Sequence, residues 1–181
     1  YEQKGDWEND LTLPASWTHY GFDFSIYTNV DMPWQNENVQ SPKCAVNYNP
    51  VGMYRKSFKV NQGLADSKGR VNISFQGVES CYYVYVNGKE VGYSEDSYSP
   101  HSFDITDYLI KNSDGSIDAS ADNLLAVEVH KFCDGTWMEG QDFLTEVYSG
   151  MYICMQHRLY ISRIILYRQT LTITMKMHSL I

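Results

Sequence analysis

An all-β sandwich or jelly roll is what this sequence predicts, and three observations predict it. Short runs rich in Val, Ile, Tyr and Phe recur at roughly ten-residue spacing. Clusters of Gly, Asn, Asp and Ser stand between them as turns. No 3.6-residue apolar period separates one run from the next. Taken in order, Met53 to Val60 (MYRKSFKV) alternates like a half-buried strand, and Arg70 to Phe75 (RVNISF) repeats the pattern. Tyr82 to Tyr93 (YYVYVNGKEVGY) carries two β-rich arms around Asn87-Gly88. That pair favours a type I′ hairpin because both central residues take φ > 0. Tyr82, Tyr83 and Tyr85 read as strand packing, with a sugar-stacking platform as the alternative. Phe103 to Leu109 (FDITDYL) predicts a strand running into a short helical turn, and Leu124 to His130 (LLAVEVH) a strand led by Asp122-Asn123. Thr18 to Tyr48, with Pro33, Pro42 and many Asn, lacks periodicity and predicts long functional or covering loops.

Composition narrows the classes. The 181 residues suffice for one domain with a sizeable core, and 43% hydrophobic with 20% charged residues is globular composition. A formal net charge of −8 argues against a nucleic-acid partner, whose phosphates would need Lys and Arg. No run approaches twenty apolar residues, so no membrane-spanning helix is expected, and the first residues lack a secretory pattern. Cys44, Cys81, Cys133 and Cys154 show neither CxxC spacing nor His partners at zinc spacing, and read as buried free thiols.

The charge is uneven. Residues 144–181 hold Arg158, Arg163, Arg168 and Lys176 against the single acid Glu146, while the preceding chain holds about twice as many acids as bases. Turn residues thin out at the same place. The reading is a jelly-roll domain over 1–143 and an atypical tail over 144–181.

Five segments occur in a telling order: LPASWTHYGFDFSIYTNVDMPW (Leu13 to Trp34), NPVGMYRKSF (Asn49 to Phe58), VNGKEVGYSEDSYSPHSFDIT (Val86 to Thr106), NLLAVEVHKFCDG (Asn123 to Gly135) and WMEGQDF (Trp137 to Phe143). Together they resemble the N-terminal sugar-binding jelly-roll domain of bacterial β-galactosidases, glycoside hydrolase family 2. IYTN and DG…QD resemble β-galactosidases more than β-glucuronidases or β-mannosidases. The resemblance implies a parent enzyme that hydrolyses terminal β-D-galactosides with retention, using two glutamates on a separate catalytic barrel. No catalytic residue is expected in this chain. Glu79, Glu90, Glu95, Glu128 and Glu139 are read as solvated surface acids.

The resemblance also implies a role at the barrel's active site. Asn29, with Val30 beside it, and Asp142 match positions that reach the galactosyl unit, and Asp142 matches a sodium ligand of the parent enzyme. A carboxamide donates to and accepts from hydroxyls, and a carboxylate is a hard oxygen ligand. Asp134 and Glu95 match an outlying magnesium site, although Glu95 stands where the family has Gln and the site also needs an N-terminal arm. DWEN (Asp6 to Asn9) resembles that arm but directly precedes LPASW, so Trp7 is read as core. The fragment itself needs no cofactor on this reading. Its partners are the barrel and a β-galactoside or galactose, in a bacterial compartment that is cytoplasmic or periplasmic.

After QDF the family continues approximately as SGIFRDVYLY. Read one base back from the third base of the Phe143 codon, permissible codons spell GIFRDVYLYAT and then VYLTDYTVQTDLDNN. The tail is therefore read as a frameshifted translation, expected to be poorly anchored. The alternative is a genuine terminal strand pair, since TLTITMKMH alternates.

A free-standing carbohydrate-binding module is the second functional reading. Two polar sugar contacts contribute about 1.5–3 kcal/mol each, against about 4–15 kcal/mol for association. Galactose binding by the domain alone is then expected at about millimolar or weaker. A module would need an exposed aromatic platform, for which Trp34 and Trp137 are the candidates, loop anchoring being their other reading.

Overall fold

The computed structural model describes residues 8–12, 22–24, 26–28, 31–34, 37–67, 69–139, 143–144, 152–158, 168–169 and 174–180. The elements are β1 (Glu8–Thr12), β2 (Tyr27–Thr28), β3 (Val51–Phe58), α1 (Gln62–Asp66), β4 (Arg70–Gly77), β5 (Cys81–Val86) and β6 (Lys89–Ser94). There follow β7 (His101–Asp104), a 3₁₀ turn (Thr106–Tyr108), β8 (Asn123–His130), α2 (Thr136–Glu139), β9 (Phe143–Leu144), β10 (Tyr152–Arg158), β11 (Arg168–Gln169) and β12 (Thr174–Leu180).

They form an antiparallel sandwich, as the sequence predicts. One sheet runs β1-β12-β3-β8-β5-β6, the facing sheet runs β11-β10-β4-β7, and β2 pairs with β9 apart from both. Alternation sets which side chains turn inward. Val71, Ile73 and Phe75 of β4 meet Tyr82, Val84 and Val86 of β5 and Leu125, Val127 and Val129 of β8 in one buried cluster. Phe75 and Tyr82 stack at 4.9 Å between ring centroids, and Phe103 stands edge-on to both at 6.0 and 6.2 Å. Tyr82 is thus core, as packing requires; Tyr83 leans outward on Tyr93 at 4.7 Å.

The hairpin turn follows from its two residues. Asn87 and Gly88 sit at φ 51° and 78°, both in the left-handed region. Asn87 does more than turn. Its side chain donates to Tyr108 O and Asn123 Oδ1, both at 2.8 Å, and accepts from Leu124 N at 2.9 Å, tying the tip to the start of β8. Gly92 has a different reason: a Cβ there would lie 2.8 Å from the Phe103 ring.

The tail strands join both sheets. β10 pairs with β4 from Arg70 to Gly77, β11 with β10, and β12 lies between β1 and β3. Trp7, read as core, lies outside the described residues.

Candidate functional site

The site grows from the loops at one end of β5 and β8. β8 ends at His130, whose register partner is Cys81 at the start of β5. Four residues then change the chemistry in turn: Lys131, Phe132, Cys133 and Asp134.

Lys131 turns into the interior with only 4% of its side chain exposed, and pairs with Asp23, itself 6% exposed. Tyr48 also donates to Asp23. The ammonium donates to Phe24 O at 3.3 Å and lies 5.2, 5.4 and 5.7 Å from the ring centres of Phe24, Tyr48 and Phe132. Burial, then the Asp23 carboxylate, push the Tyr48 hydroxyl well above the usual phenol range. Phe132 enters a second apolar cluster with Trp34 and Ala45. Two polar clamps replace sheet pairing there. Asn49 accepts from Phe132 N and donates to Phe132 O, both at 2.9 Å. The Glu37 carboxylate accepts the N–H groups of Val46, Asn47 and Tyr48 at 2.9–3.0 Å, which lowers its pKa.

Trp34 is 7% exposed and packs on Trp137 and Phe132 at 5.3 Å each. Trp137 donates its indole N–H to Lys43 O at 2.7 Å. Both anchor loops, and Trp34 offers no open platform.

Cys133 and Asp134 line a groove of about 1030 Å³ together with Cys44, Cys81, Tyr83, Tyr93 and other residues. Cys44, Cys81 and Cys133 are free thiols. The Cys81 and Cys133 thiols hydrogen-bond to each other, which raises the first and lowers the second. Burial and the Cys133 charge raise Cys44. Thr136 accepts Cys133 N at 2.9 Å and donates to its Sγ at 3.8 Å. The Tyr93 hydroxyl donates to Glu95 Oε1 at 2.5 Å.

Of the residues singled out in the sequence, Glu95 and Asp134 are brought together: with Cys133 each offers one ligand atom within 4.8 Å of the other two. Asn29, Val30 and Asp142 lie outside the described residues. Their chain neighbours Thr28 and Phe143 are paired across β2 and β9.

The acids need a correction. Glu128 is buried, bonded to His130 Nε2 at 3.0 Å, and flanked in register by Met53 and Tyr83. Glu79 is half-buried, with its Oε2 buried and lacking a partner; burial, then the nearby Glu139 charge, push its carboxyl up to about 7. Glu139 accepts Ser97 N and Oγ, each at 2.6 Å. These are not solvated surface acids. Lys131, which sequence reasoning passed over, and Cys133, read there only as a buried free thiol, carry much of this end's chemistry. Their linear signal is that both lie within the NLLAVEVHKFCDG segment.

The architecture defines an antiparallel β-sandwich domain with its polar groups gathered in loops. The comparisons are narrower. The model of the glycosyl hydrolases family 2, sugar binding domain, matches residues 2–158, and the chain belongs to that family. A β-galactosidase of Priestia megaterium is 41% identical over 150 residues, covering 81% of this chain and 13% of the relative. One from Clostridium acetobutylicum is 41% identical over 138 residues, covering 76% and 14%. Among solved structures, a β-glucuronidase of Bifidobacterium dentium is 26% identical over 52% of this chain and 13% of its own, with a TM-score of 0.38. The chain therefore spans about one seventh of the length of the curated relatives it matches.

Proposed function

We propose that this chain is the front domain of a β-galactosidase, acting as scaffold and as one wall of the active site of a barrel that hydrolyses terminal β-D-galactosides with retention. The observation that carries the reading is the pairing of Thr28 with Phe143. In the sequence Asn29 follows the first and Asp142 precedes the second. A carboxamide and a carboxylate suit recognition of one sugar, with Val30 as the apolar neighbour and Asp142 also taking sodium. Glu95 and Asp134 are proposed as a separate cation site on the strength of their spacing.

On this reading the chain alone is inactive and binds galactose at about millimolar or weaker. The test is the enzyme joined to its remaining domains. Asn29→Ala and Asp142→Ala should each raise KM for a nitrophenyl galactoside about tenfold or more. Unchanged KM in both would overturn the assignment. Micromolar galactose binding by the chain alone, in calorimetry, would favour the free-standing module. The proposed frameshift after Phe143 is tested by resequencing the gene there in all three frames. An open frame restoring the family's strand supports it, and the same frame read again refutes it.

A further inference from the structure

The magnesium that the family resemblance assigns to Glu95 and Asp134 fits their spacing but not their company. Cys133 Sγ lies within 4.8 Å of both carboxylates, so a cation reaching the two acids also meets sulfur. Magnesium demands near-octahedral oxygen ligands and sheds its waters reluctantly. Thiolate sulfur selects zinc, cadmium or Cu(I) instead.

We infer that Glu95, Cys133 and Asp134 form a three-ligand site for a thiophilic divalent cation of the zinc type, open to solvent along the groove. This rests on reading the Glu95–Asp134 pair as a cation site and names the class of ion it takes. Three features beyond the ligands support it. Each of two ligands is oriented by a neighbour, Glu95 by the Tyr93 hydroxyl at 2.5 Å and Cys133 by Thr136 Oγ1 at 3.8 Å. Between the ligands stands Gly135, where a Cβ would lie 2.6 Å from Glu95 Oε2 and 3.4 Å from Cys133 Sγ. The space a methyl would fill is the space between the donors. Its φ does not require glycine, since it is not among the positive-φ residues. Cys133 and Asp134 also line the groove, so an ion can enter without unfolding the sandwich.

The experiment titrates the reduced full chain with Cd²⁺ and Co²⁺ and follows the sulfur-to-metal charge-transfer absorption. One equivalent should bind with that band, and hundredfold excess Mg²⁺ should leave it in place. Cys133→Ser should abolish the band and weaken Cd²⁺ by more than the about 10–100-fold that loss of an orienting neighbour costs. Tyr93→Phe should weaken it about tenfold. Gly135→Ala should block binding while urea denaturation shows a folded chain, which keeps the test decisive if Cys133→Ser does not fold. Cys44→Ser should change nothing. Binding without the band, or ready displacement by Mg²⁺, would overturn the thiophilic inference and leave the Glu95–Asp134 site standing. No binding of Cd²⁺, Co²⁺, Mn²⁺ or Mg²⁺ would overturn both. A band lost in Cys44→Ser but kept in Cys133→Ser would move the site elsewhere and overturn the inference.

Discussion

The sandwich core and the loop cluster around Trp34 are both buried, yet they are held by different physics. In the core, β4, β5 and β8 place every second residue inward, and Val71, Ile73, Val84, Val86 and Val127 interlock with no polar atoms among them. In the loop cluster no ladder sets the spacing, so charged and amide groups do: Lys131 with Asp23, Asn49 with both backbone groups of Phe132, Glu37 with three successive N–H groups. One region is therefore sensitive to volume and the other to charge. Polar clamps are also where a binding surface finds its ligands, because a purely apolar core offers none.

Breaking the comparison begins with the largest effect. Lys131→Met leaves Asp23 as a buried, unpaired carboxylate and should cost about 3–5 kcal/mol in urea denaturation. A loss under 1 kcal/mol would mean that the pair is not what holds the loops. Ile73→Ala opens a cavity in the sandwich and should cost about 2–5 kcal/mol. Because volume alone is lost there, Ile73→Val should cost only about 0.5–1.5 kcal/mol in the same denaturation.

Glu79 makes stability depend on pH. Its carboxyl is raised from an ordinary 4.5 to about 7, so below 4.5 both folded and unfolded chains hold the proton. Between 4.5 and 7 the unfolded chain releases it first, and stability falls as pH rises, by about 3 kcal/mol in all. Above 7 the loss is complete. Glu79→Gln should remove that slope and be the more stable protein at pH 8; parallel curves for the two would disprove the buried charge. Asn49→Ala, which frees Phe132 N and O together, should cost about 1–3 kcal/mol. At the small end, Lys59→Ala breaks an exposed pair with Asp122 at 3.9 Å and should stay within about 0.5 kcal/mol.

Legibility in the sequence followed the same divide. The strands Val51–Phe58, Arg70–Gly77 and Asn123–His130 were readable within a few residues because a period of two is a local property. α1 and α2, at five and four residues, are too short for a helical period to show. β2 is two residues whose partner lies more than a hundred positions away, which no local pattern records. Glu79 and Glu128 were misread because neither burial nor a neighbouring carboxylate is written beside them in the chain.

By itself the sequence determined the sandwich, the Asn87-Gly88 turn and, through five ordered segments, the family. Those are properties of alternation, of backbone φ and of shared motifs, and each is carried by residues close together in the chain. The tertiary structure decided which distant side chains meet. Lys131 found Asp23 across 108 positions, and the Cys133 sulfur came within 4.8 Å of a Glu95 carboxylate oxygen. Nothing in the spacing of 23, 95 and 131–134 foretells those meetings, because loop closure brings such residues together only after the sheets have formed.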